Sequence, residues 1–250
     1  MTTLEILWWD PSLLADASVG KAPLHWSARG QLSMGVMRSA WNDPKATYVA
    51  IKGGTPNNSH GHMDAGSFIL EADGVRWALD LGTENYGKMR AAKLDLWNYS
   101  QSSNRWTTFR VGPEGHNILR FNGQYQLING KAEVTELPEV NGITGNRADL
   151  STLYSNFASQ VYRTVLLNPD RSVTFKDEWR TNGQATQVTF QWLTKAPDFN
   201  QDKHASQQQW KTHTYSNSGE CYKEVNSGNF TFLNVFKWPT FFDASDIPVQ

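Results

Sequence analysis

The chain is poor in cysteine, in net charge and in long apolar runs. Its single cysteine among 250 residues, Cys221, excludes an internal disulfide and leaves no second thiolate for a cysteine-based zinc site. The net charge of -1 gives no overall attraction to nucleic acid or to an anionic membrane. No apolar run reaches the length of a membrane span, and the first residues lack the pattern of a signal peptide. We therefore expect neither nucleic acid nor a membrane among its partners.

Aromatic residues, in contrast, are plentiful. The chain has eleven tryptophans, and such rings either pack a core or bind the flat faces of pyranose rings in a sugar cleft. Hydrophobic residues make up 39% and charged residues 19% of the chain, which is ordinary for a folded protein. The length suits one large all-β domain or two smaller ones, and one domain is the simpler expectation.

Short β-branched and aromatic runs bounded by turn residues indicate strands from Trp26 onward. The runs are ATYVAIKG, GSFILEADGVRWALDLG, HNILRFNGQYQLI, QVYRTVLLNPDRSVTFKDEW, TQVTFQWLT and NFTFLNVFKW. Tight turns are expected at Asp73-Gly74, at Asn122-Gly123 and at Asn168–Asp170. The pattern predicts an all-β fold, an antiparallel β-sandwich over residues 23–250.

The first residues differ from this pattern. Residues 3–14, TLEILWWDPSLL, are apolar almost all the way round a helix, and Pro11 would end that helix. A helix of this kind needs partners on several sides. We therefore expect a short helical remnant at the N-terminus, with residues 1–22 forming the tail and linker of a missing helical domain.

One long segment, residues 84–110, interrupts the spacing of the strands. Its five basic residues outnumber two acidic ones and alternate with aromatic rings. A connection of this length in a compact β domain is usually functional or disordered, and the aromatic content argues against disorder. Solvated surface charges with aromatic rings in the core would explain the same composition.

Residues 57–68, NNSHGHMDAGSF, place His60, His62 and Asp64 at every second position; we call this stretch the histidine loop. Two imidazoles on one side of an extended chain can bind a transition metal. A turn-rich loop with histidines bonded to the backbone is the alternative. Asp80 and His116 supply further possible ligands, and Asp64 could orient a ligand imidazole. Two histidines and one carboxylate would leave a fourth zinc position for water or another ligand.

Sharing an ion between Asp80 and His62 requires a bend in the chain. If Ala72–Gly74 form a three-residue turn, Asp80 lies opposite Gly66. A straight strand would then carry His62 about 13 Å further, at ~3.3 Å per residue, which is too far. The loop must therefore bend near Gly61 and Gly66, as glycine permits.

Four stretches in order, GVMRSAWNDPKATYVAIKGG, SHGHMDAGSFILEADGVRWALDLG, EGHNILRFNGQ and YRTVLLNPDRSVTFKDEW, resemble the C-terminal β-sandwich domain of the heparinase II/III-like polysaccharide lyases. The resemblance runs from about Trp26 to Trp192 and is weak after about residue 200. The stretch LWWDP resembles the exit from the family's helical α/α toroid. Several ordered motifs with consistent spacing make this signal specific.

The resemblance implies an enzyme that cleaves uronic-acid polysaccharides, of the heparin/heparan sulfate or alginate type, by β-elimination. It implies that His60 faces the substrate and that His62, Asp80 and His116 hold one structural zinc ion, which fixes the loop. In this family a tyrosine and another histidine on the toroid share the catalysis, so we expect little or no lyase activity from this chain alone. The family also implies a periplasmic or secreted bacterial location.

Segment 84–110 lies between the expected ligands Asp80 and His116, so we expect it at the same rim. Tyr99 is the candidate for a catalytic tyrosine. Expected contacts to the acidic glycan come from the substrate-binding candidates Tyr86, Lys88, Trp97 and Arg105.

Two other functions fit parts of the pattern. A glycan-binding β-sandwich module without catalysis would use the same aromatic rim. A cupin-like metal oxygenase would use the histidine pair with later ligands for ferrous iron. Away from the loop, Arg163, Asp177 and Glu178 are expected to form structural ion pairs at a strand edge.

Overall fold

The computed structural model describes residues 22–183 and 186–194, together with the backbone of residues 210–215 and 229–236. The expected helical remnant at residues 3–14 and Cys221 lie outside the described residues. The domain boundary near residue 22 therefore stays a prediction.

Thirteen strands in the described part of the chain form three antiparallel sheets. The first sheet contains, in spatial order, β1 (His25–Ala28), β2 (Met34–Arg38), β3 (Tyr48–Lys52), β4 (Phe68–Ala72) and β5 (Val75–Ala78). The second contains β7 (Glu133–Val140), β8 (Ile143–Asp149), β9 (Ala158–Leu167), β10 (Val173–Thr181) and β13 (Asn229–Phe236), in the order β13-β10-β9-β8-β7. The third contains β6 (Leu119–Phe121), β11 (Val188–Leu193) and β12 (Trp210–Tyr215), with β11 in the middle.

The main core lies between the sheets. Phe68 on β4 meets Phe175 on β10 with ring centroids 4.2 Å apart, and it meets Trp192 on β11 edge-on at 5.0 Å. Tyr154 and Phe121 pack against each other at 4.8 Å in the same buried cluster. These contacts bury aromatic faces from all three sheets, and they confirm the predicted all-β sandwich.

The hairpin between β4 and β5 is present, but its register differs from the prediction. Asp73 and Gly74 both have positive φ, 54° and 78°, which makes a two-residue turn that pairs Ala72 with Val75. An irregularity between Leu70 and Glu71 shifts the ladder by one more residue. Continuing the ladder places Asp80 across from Phe68, so the expected position opposite Gly66 was wrong.

The other two predicted turns are also present. Arg171, with φ 67°, closes the turn after Asn168, and the N–H of Asn168 donates to the Ser172 carbonyl at 2.9 Å. This turn joins β9 to β10 as a hairpin. Asn122-Gly123 forms a tight turn with both φ values positive, but it ends β6, whose ladder partner is β11.

Segment 84–110 is ordered around a small core of its own. It contains the helix α1 (Tyr86–Ala91) and a 3-10 turn at Asn104–Thr107. The buried members of this second core are Met63, Met89, Leu96, Trp106, Val111 and Ile128. Met63 belongs to the histidine loop, so the segment packs directly against that loop. Within the described residues, no helix is long and apolar enough to cross a bilayer.

Candidate functional site

The histidine loop bends where the sequence predicts it. His60 has φ 59° and Gly66 has φ 87°, both in the left-handed region that favours glycine. A Cβ at Gly61 would lie 2.4 Å from the Pro56 carbonyl oxygen and 2.8 Å from that of Asn58. Glycine is therefore required at position 61 by close backbone approach.

The bend buries a cluster of potential metal ligands. His62, Asp64 and His116 each offer a ligand atom, and these atoms all lie within 4.8 Å of one another. The imidazole rings of His62 and His116 are 5.3 Å apart between centroids. Asp80 joins the cluster through its Oδ2, which lies 2.9 Å from Nδ1 of His116. The structure thus brings the three predicted ligands together and adds Asp64.

The electrostatics of the cluster favour metal-binding forms. Burial, followed by the charge of His116, lowers the pKa of His62 to about 4. Burial raises the pKa of Asp80, but the hydrogen bond and charge of His116 and the N–H of Gly82 outweigh it and lower the pKa to about 2. At neutral pH the cluster therefore offers a neutral imidazole and an ionised carboxylate, the forms that bind metals.

The residues present fit a zinc ion. Nitrogen and carboxylate donors suit Zn²⁺, and tetrahedral ligands around one ion stand roughly 3–4 Å apart. Nε2 of His116 is buried and has no hydrogen-bond partner in the described part of the chain, although buried polar atoms normally have one. Lys52 forms an ion pair with Asp64, whereas Asp80 is held by His116 and by the N–H of Gly82 at 2.8 Å. Asp64 offers a ligand atom within 4.8 Å of those of both imidazoles, and Asp80 contacts Nδ1 of His116.

His60 points away from this cluster, toward an aromatic rim formed by Tyr86, Trp97 and Tyr99. Nδ1 of His60 lies 2.8 Å from the Tyr86 hydroxyl, and its backbone N–H donates to the Tyr99 hydroxyl at 2.9 Å. The Trp97 ring, 53% exposed, meets the His60 ring edge-on at 5.2 Å. Lys88 is exposed on α1. Three of the residues expected to touch substrate, Tyr86, Trp97 and Tyr99, therefore contact His60.

Arg105 does not belong to this exposed group. Its exposed fraction is 0%, and its guanidinium donates to the carbonyls of Leu96 at 2.5 Å and Gly61 at 2.9 Å. The cation also lies over the rings of Tyr99 and Trp106. The expectation of a direct sugar contact is corrected here, because the polar face of the side chain is turned into the protein.

The sequence did not predict that a buried ion pair on β9 and β10 supports the histidine loop. Arg163 and Asp177 are fully buried partners, with guanidinium–carboxylate distances of 2.7 and 2.9 Å. Nη1 of Arg163 also donates to the carbonyls of Gly66 and Asn117, both at 2.8 Å. β9 and β10 lie inside the second sheet, so the predicted strand-edge location was wrong. The expected ion pair of Arg163 with Asp177 is present and follows the hairpin register, but its burial and its contacts to Gly66 and Asn117 were not predicted.

A cleft of about 440 Å³ opens beside the cluster. The outer face of β2, β3 and β4 forms the floor of the cleft, and His60 and His62 line one end of it. The lining includes Met34, Tyr48, Ala50, Lys52, Ile69, His60, His62, Asp80 and Thr83. The arrangement can hold a chain-like ligand whose one end meets His60.

The fold and the site together define a β-sandwich domain with a buried histidine–carboxylate cluster and an aromatic rim beside an open cleft. The family model described as "Heparinase II/III-like, C-terminal" matches residues 30–234. The chain belongs to this family.

Solved structures share the fold. The heparan sulfate lyase HepC from Pedobacter heparinus matches with a TM-score of 0.59 and 17% identity, over 93% of this chain and 40% of that chain. The heparinase III BT4657 gene product with methylated lysines matches with a TM-score of 0.53 and 15% identity, over 85% of this chain and 35% of that one. The chain therefore spans well under half the length of these structures, and the likeness concerns the fold alone. No curated protein matches the sequence.

Proposed function

We propose that the chain is the β-sandwich part of a lyase that cleaves uronic-acid-containing glycans, of the heparin/heparan sulfate or alginate type, by β-elimination. The observation that carries the proposal is the exposed His60 imidazole, held 2.8 Å from the Tyr86 hydroxyl at the end of a cleft. Membership of the Heparinase II/III-like, C-terminal family supports a polysaccharide lyase context.

The chemistry requires groups of the kind that surround His60. Elimination removes the proton at C5 of the uronate, beside its carboxylate, and expels the oxygen at C4. When Nδ1–H of His60 donates to the Tyr86 hydroxyl, the lone pair of Nε2 is free to accept the C5 proton as the enolate-like charge develops. Tyr99 accepts the His60 N–H, so its own O–H proton remains available for the departing oxygen. His60 and Tyr99 are the proposed catalytic pair.

The acidic glycan is recognised, in this proposal, by exposed residues at the same rim. Trp97 offers a ring face for a sugar, and Tyr86 and Lys88 lie on α1 beside it. The ammonium of Lys88 suits a carboxylate or sulfate on the glycan. These three are the proposed substrate contacts.

One structural zinc ion is proposed at His62, Asp80 and His116. Bound there, the ion would supply a fixed divalent charge that holds the histidine loop. His62 contributes a neutral imidazole and Asp80 an ionised carboxylate, as their lowered pKa values require. The loop in turn presents His60 to the cleft.

The test compares the purified chain with the full-length gene product on heparin, heparan sulfate, alginate and a neutral glycan. Ultraviolet absorbance of the unsaturated uronate product measures turnover. We expect turnover on an acidic glycan only with a helical partner domain present, because in the lyases that this chain resembles the helical toroid shares the catalysis. His60→Ala should then lower kcat roughly 100-fold or more, the range of general acid–base catalysis.

Two outcomes would contradict the proposal in part or in whole. Robust turnover by the 250-residue chain alone would refute the need for a helical domain. Binding of an acidic glycan with no elimination by any longer form would favour a glycan-binding module instead.

A further inference from the structure

We infer that Arg105 is a positioning residue that fixes His60 through contacts separate from the side chains of His62, Asp80 and His116. The inference rests on the proposed function in taking His60 as the group presented to substrate and the His62, Asp80 and His116 cluster as the zinc site. It assigns the histidine loop two separate anchors: the cluster at His62 and the buried guanidinium at Gly61.

The guanidinium of Arg105 joins two parts of the chain that are far apart in sequence. One nitrogen donates to the carbonyl of Gly61, the residue between His60 and His62, at 2.9 Å. Another donates to the carbonyl of Leu96, next to Trp97, at 2.5 Å. One planar cation therefore sets the distance between the histidine loop and segment 84–110, which carries the aromatic rim.

A second route from Arg105 to His60 passes through Tyr99. The cation lies 4.9 Å from the centre of the Tyr99 ring, and the Tyr99 hydroxyl accepts the backbone N–H of His60 at 2.9 Å. That N–H belongs to a residue in the left-handed conformation, where the backbone needs external support. Neither route uses the side chains of His62, Asp80 or His116, although the Gly61 carbonyl belongs to the peptide unit that leads into His62.

The chemistry of the contact favours arginine over lysine. In the described part of the chain, Arg105 is held by carbonyl oxygens and by the faces of Tyr99 and Trp106. A planar guanidinium can donate in two fixed directions while its faces contact rings, whereas an ammonium has no such plane. Arg105→Lys should therefore keep the positive charge but loosen the loop.

The experiment uses Arg105→Lys and Arg105→Met in the full-length gene product, with Arg90→Lys as the matched control on exposed α1. Three quantities are measured: zinc per chain, hydrogen–deuterium exchange of a peptide covering residues 57–62, and kcat and KM on the glycan that the wild type cleaves. If Arg105→Met fails to fold, Arg105→Lys alone decides.

We expect Arg105→Lys to retain wild-type zinc content while the loop peptide exchanges about 10-fold faster. A misplaced catalytic group typically lowers turnover by roughly 100-fold, so kcat should fall by about that factor with KM changed less than about 3-fold. Arg90→Lys should match the wild type in all three measurements. A peptide covering β3 should exchange at the wild-type rate in every variant.

Unchanged loop exchange in Arg105→Lys would overturn the inference, and so would loss of zinc together with loop order. Unchanged exchange would mean that Arg105 only fills space. Loss of zinc together with loop order would mean that Arg105 acts through the His62, Asp80 and His116 cluster. If the wild type cleaves no acidic glycan, the proposed function fails, while zinc content and loop exchange still decide the role of Arg105.

Discussion

His60 holds a backbone conformation that residues with a side chain seldom adopt. A left-handed non-glycine residue costs of order 1 kcal/mol or more and persists only where the surroundings impose it. Here the surroundings are the Tyr99 hydroxyl on its N–H, the Tyr86 hydroxyl on its ring and the N–H of Gly61 donating to Asn58. The strain is located at the imidazole that the proposed chemistry uses, which is where strained residues tend to occur.

Gly61→Ala should displace the loop without touching any ligand. The new Cβ would lie 2.4 Å from the Pro56 carbonyl oxygen, a backbone atom that cannot move alone. We expect a loss of about 1–3 kcal/mol in the free energy of unfolding, as for overpacking, measured by urea denaturation. Gly87→Ala on α1 is the control, since among the described residues its new Cβ would meet the Oδ1 atom of the Asn85 side chain at 3.0 Å and not a carbonyl of a packed loop. Equal stability of the two variants would contradict the close approach at Gly61.

Single substitutions can decide which carboxylate binds the metal. If Asp80 is the ligand, His62→Ala and Asp80→Asn should contain little zinc after dialysis. Asp64→Asn should lower zinc affinity by about 10–100-fold at most, the effect of a residue that orients ligands. Elemental analysis and calorimetric titration measure both effects. If the Asp64→Asn variant contains no zinc while the Asp80→Asn variant retains it, Asp64 is the ligand instead.

At the scale of strands and turns, the sequence predicts what local chemistry determines. Asp73-Gly74 and Asn168–Asp170 mark the two hairpins that flank the site. The hairpin from β7 to β8 was missed, although Asn141 and Gly142 have φ 53° and 76° and form the same kind of turn. β7 lies at the edge of the second sheet and is mostly exposed, so its apolar residues do not alternate clearly and Pro138 interrupts them.

Contacts between residues that are far apart in sequence could not be predicted from the sequence. Arg105 was predicted to contact the glycan at the surface, because charged residues are rarely fully buried. Its burial depends on the carbonyls of Gly61 and Leu96 converging on one point, which spacing alone does not reveal. The ligand candidates His62, Asp80 and His116 could be named in advance because their residue types carry the chemistry. Asp64 was named as a residue that could orient a ligand, and its place among the possible ligand atoms required the fold.

The hairpin of β9 and β10 supports the site through its buried ion pair. Arg163→Met would leave Asp177 as an unpaired buried charge, at a cost of about 3–5 kcal/mol. The double change Arg163→Met with Asp177→Leu should recover most of this stability, since apolar pairs often replace buried ion pairs without loss. It should still weaken zinc binding, because the carbonyls of Gly66 and Asn117 lose their donor.

Chemical denaturation and zinc titration of the single and double variants test this separation of fold from site. Removal of the Lys176 and Glu178 pair, which is partly exposed, is the control and should change stability by about 1 kcal/mol or less. A double variant with wild-type zinc affinity would show that the hairpin supports the fold but not the site.

For the molecule as a whole, the cluster joins the β4–β5 hairpin of the first sheet to the start of β6 in the third sheet. His62 precedes β4, Asp80 follows β5, and His116 precedes β6 of the third sheet. Segment 84–110 is enclosed between Asp80 and His116, so an ion at the cluster would close the loop that carries the aromatic rim. Closing a loop of this kind lowers the conformational entropy of the unfolded chain and of native forms in which segment 84–110 is detached.

Zinc should therefore stabilise the whole chain. At a free zinc concentration 100 times the dissociation constant, linkage predicts about 2.7 kcal/mol, which corresponds to a rise in Tm of roughly 5–10 °C for a chain of this size. Differential scanning calorimetry with zinc and with a chelator measures the shift. His62→Ala should show no zinc-dependent shift, because one ligand of the proposed set is gone. An equal shift in the wild type and in His62→Ala would locate the stabilising ion elsewhere, and the histidine loop would then depend on Arg105 and Arg163 alone.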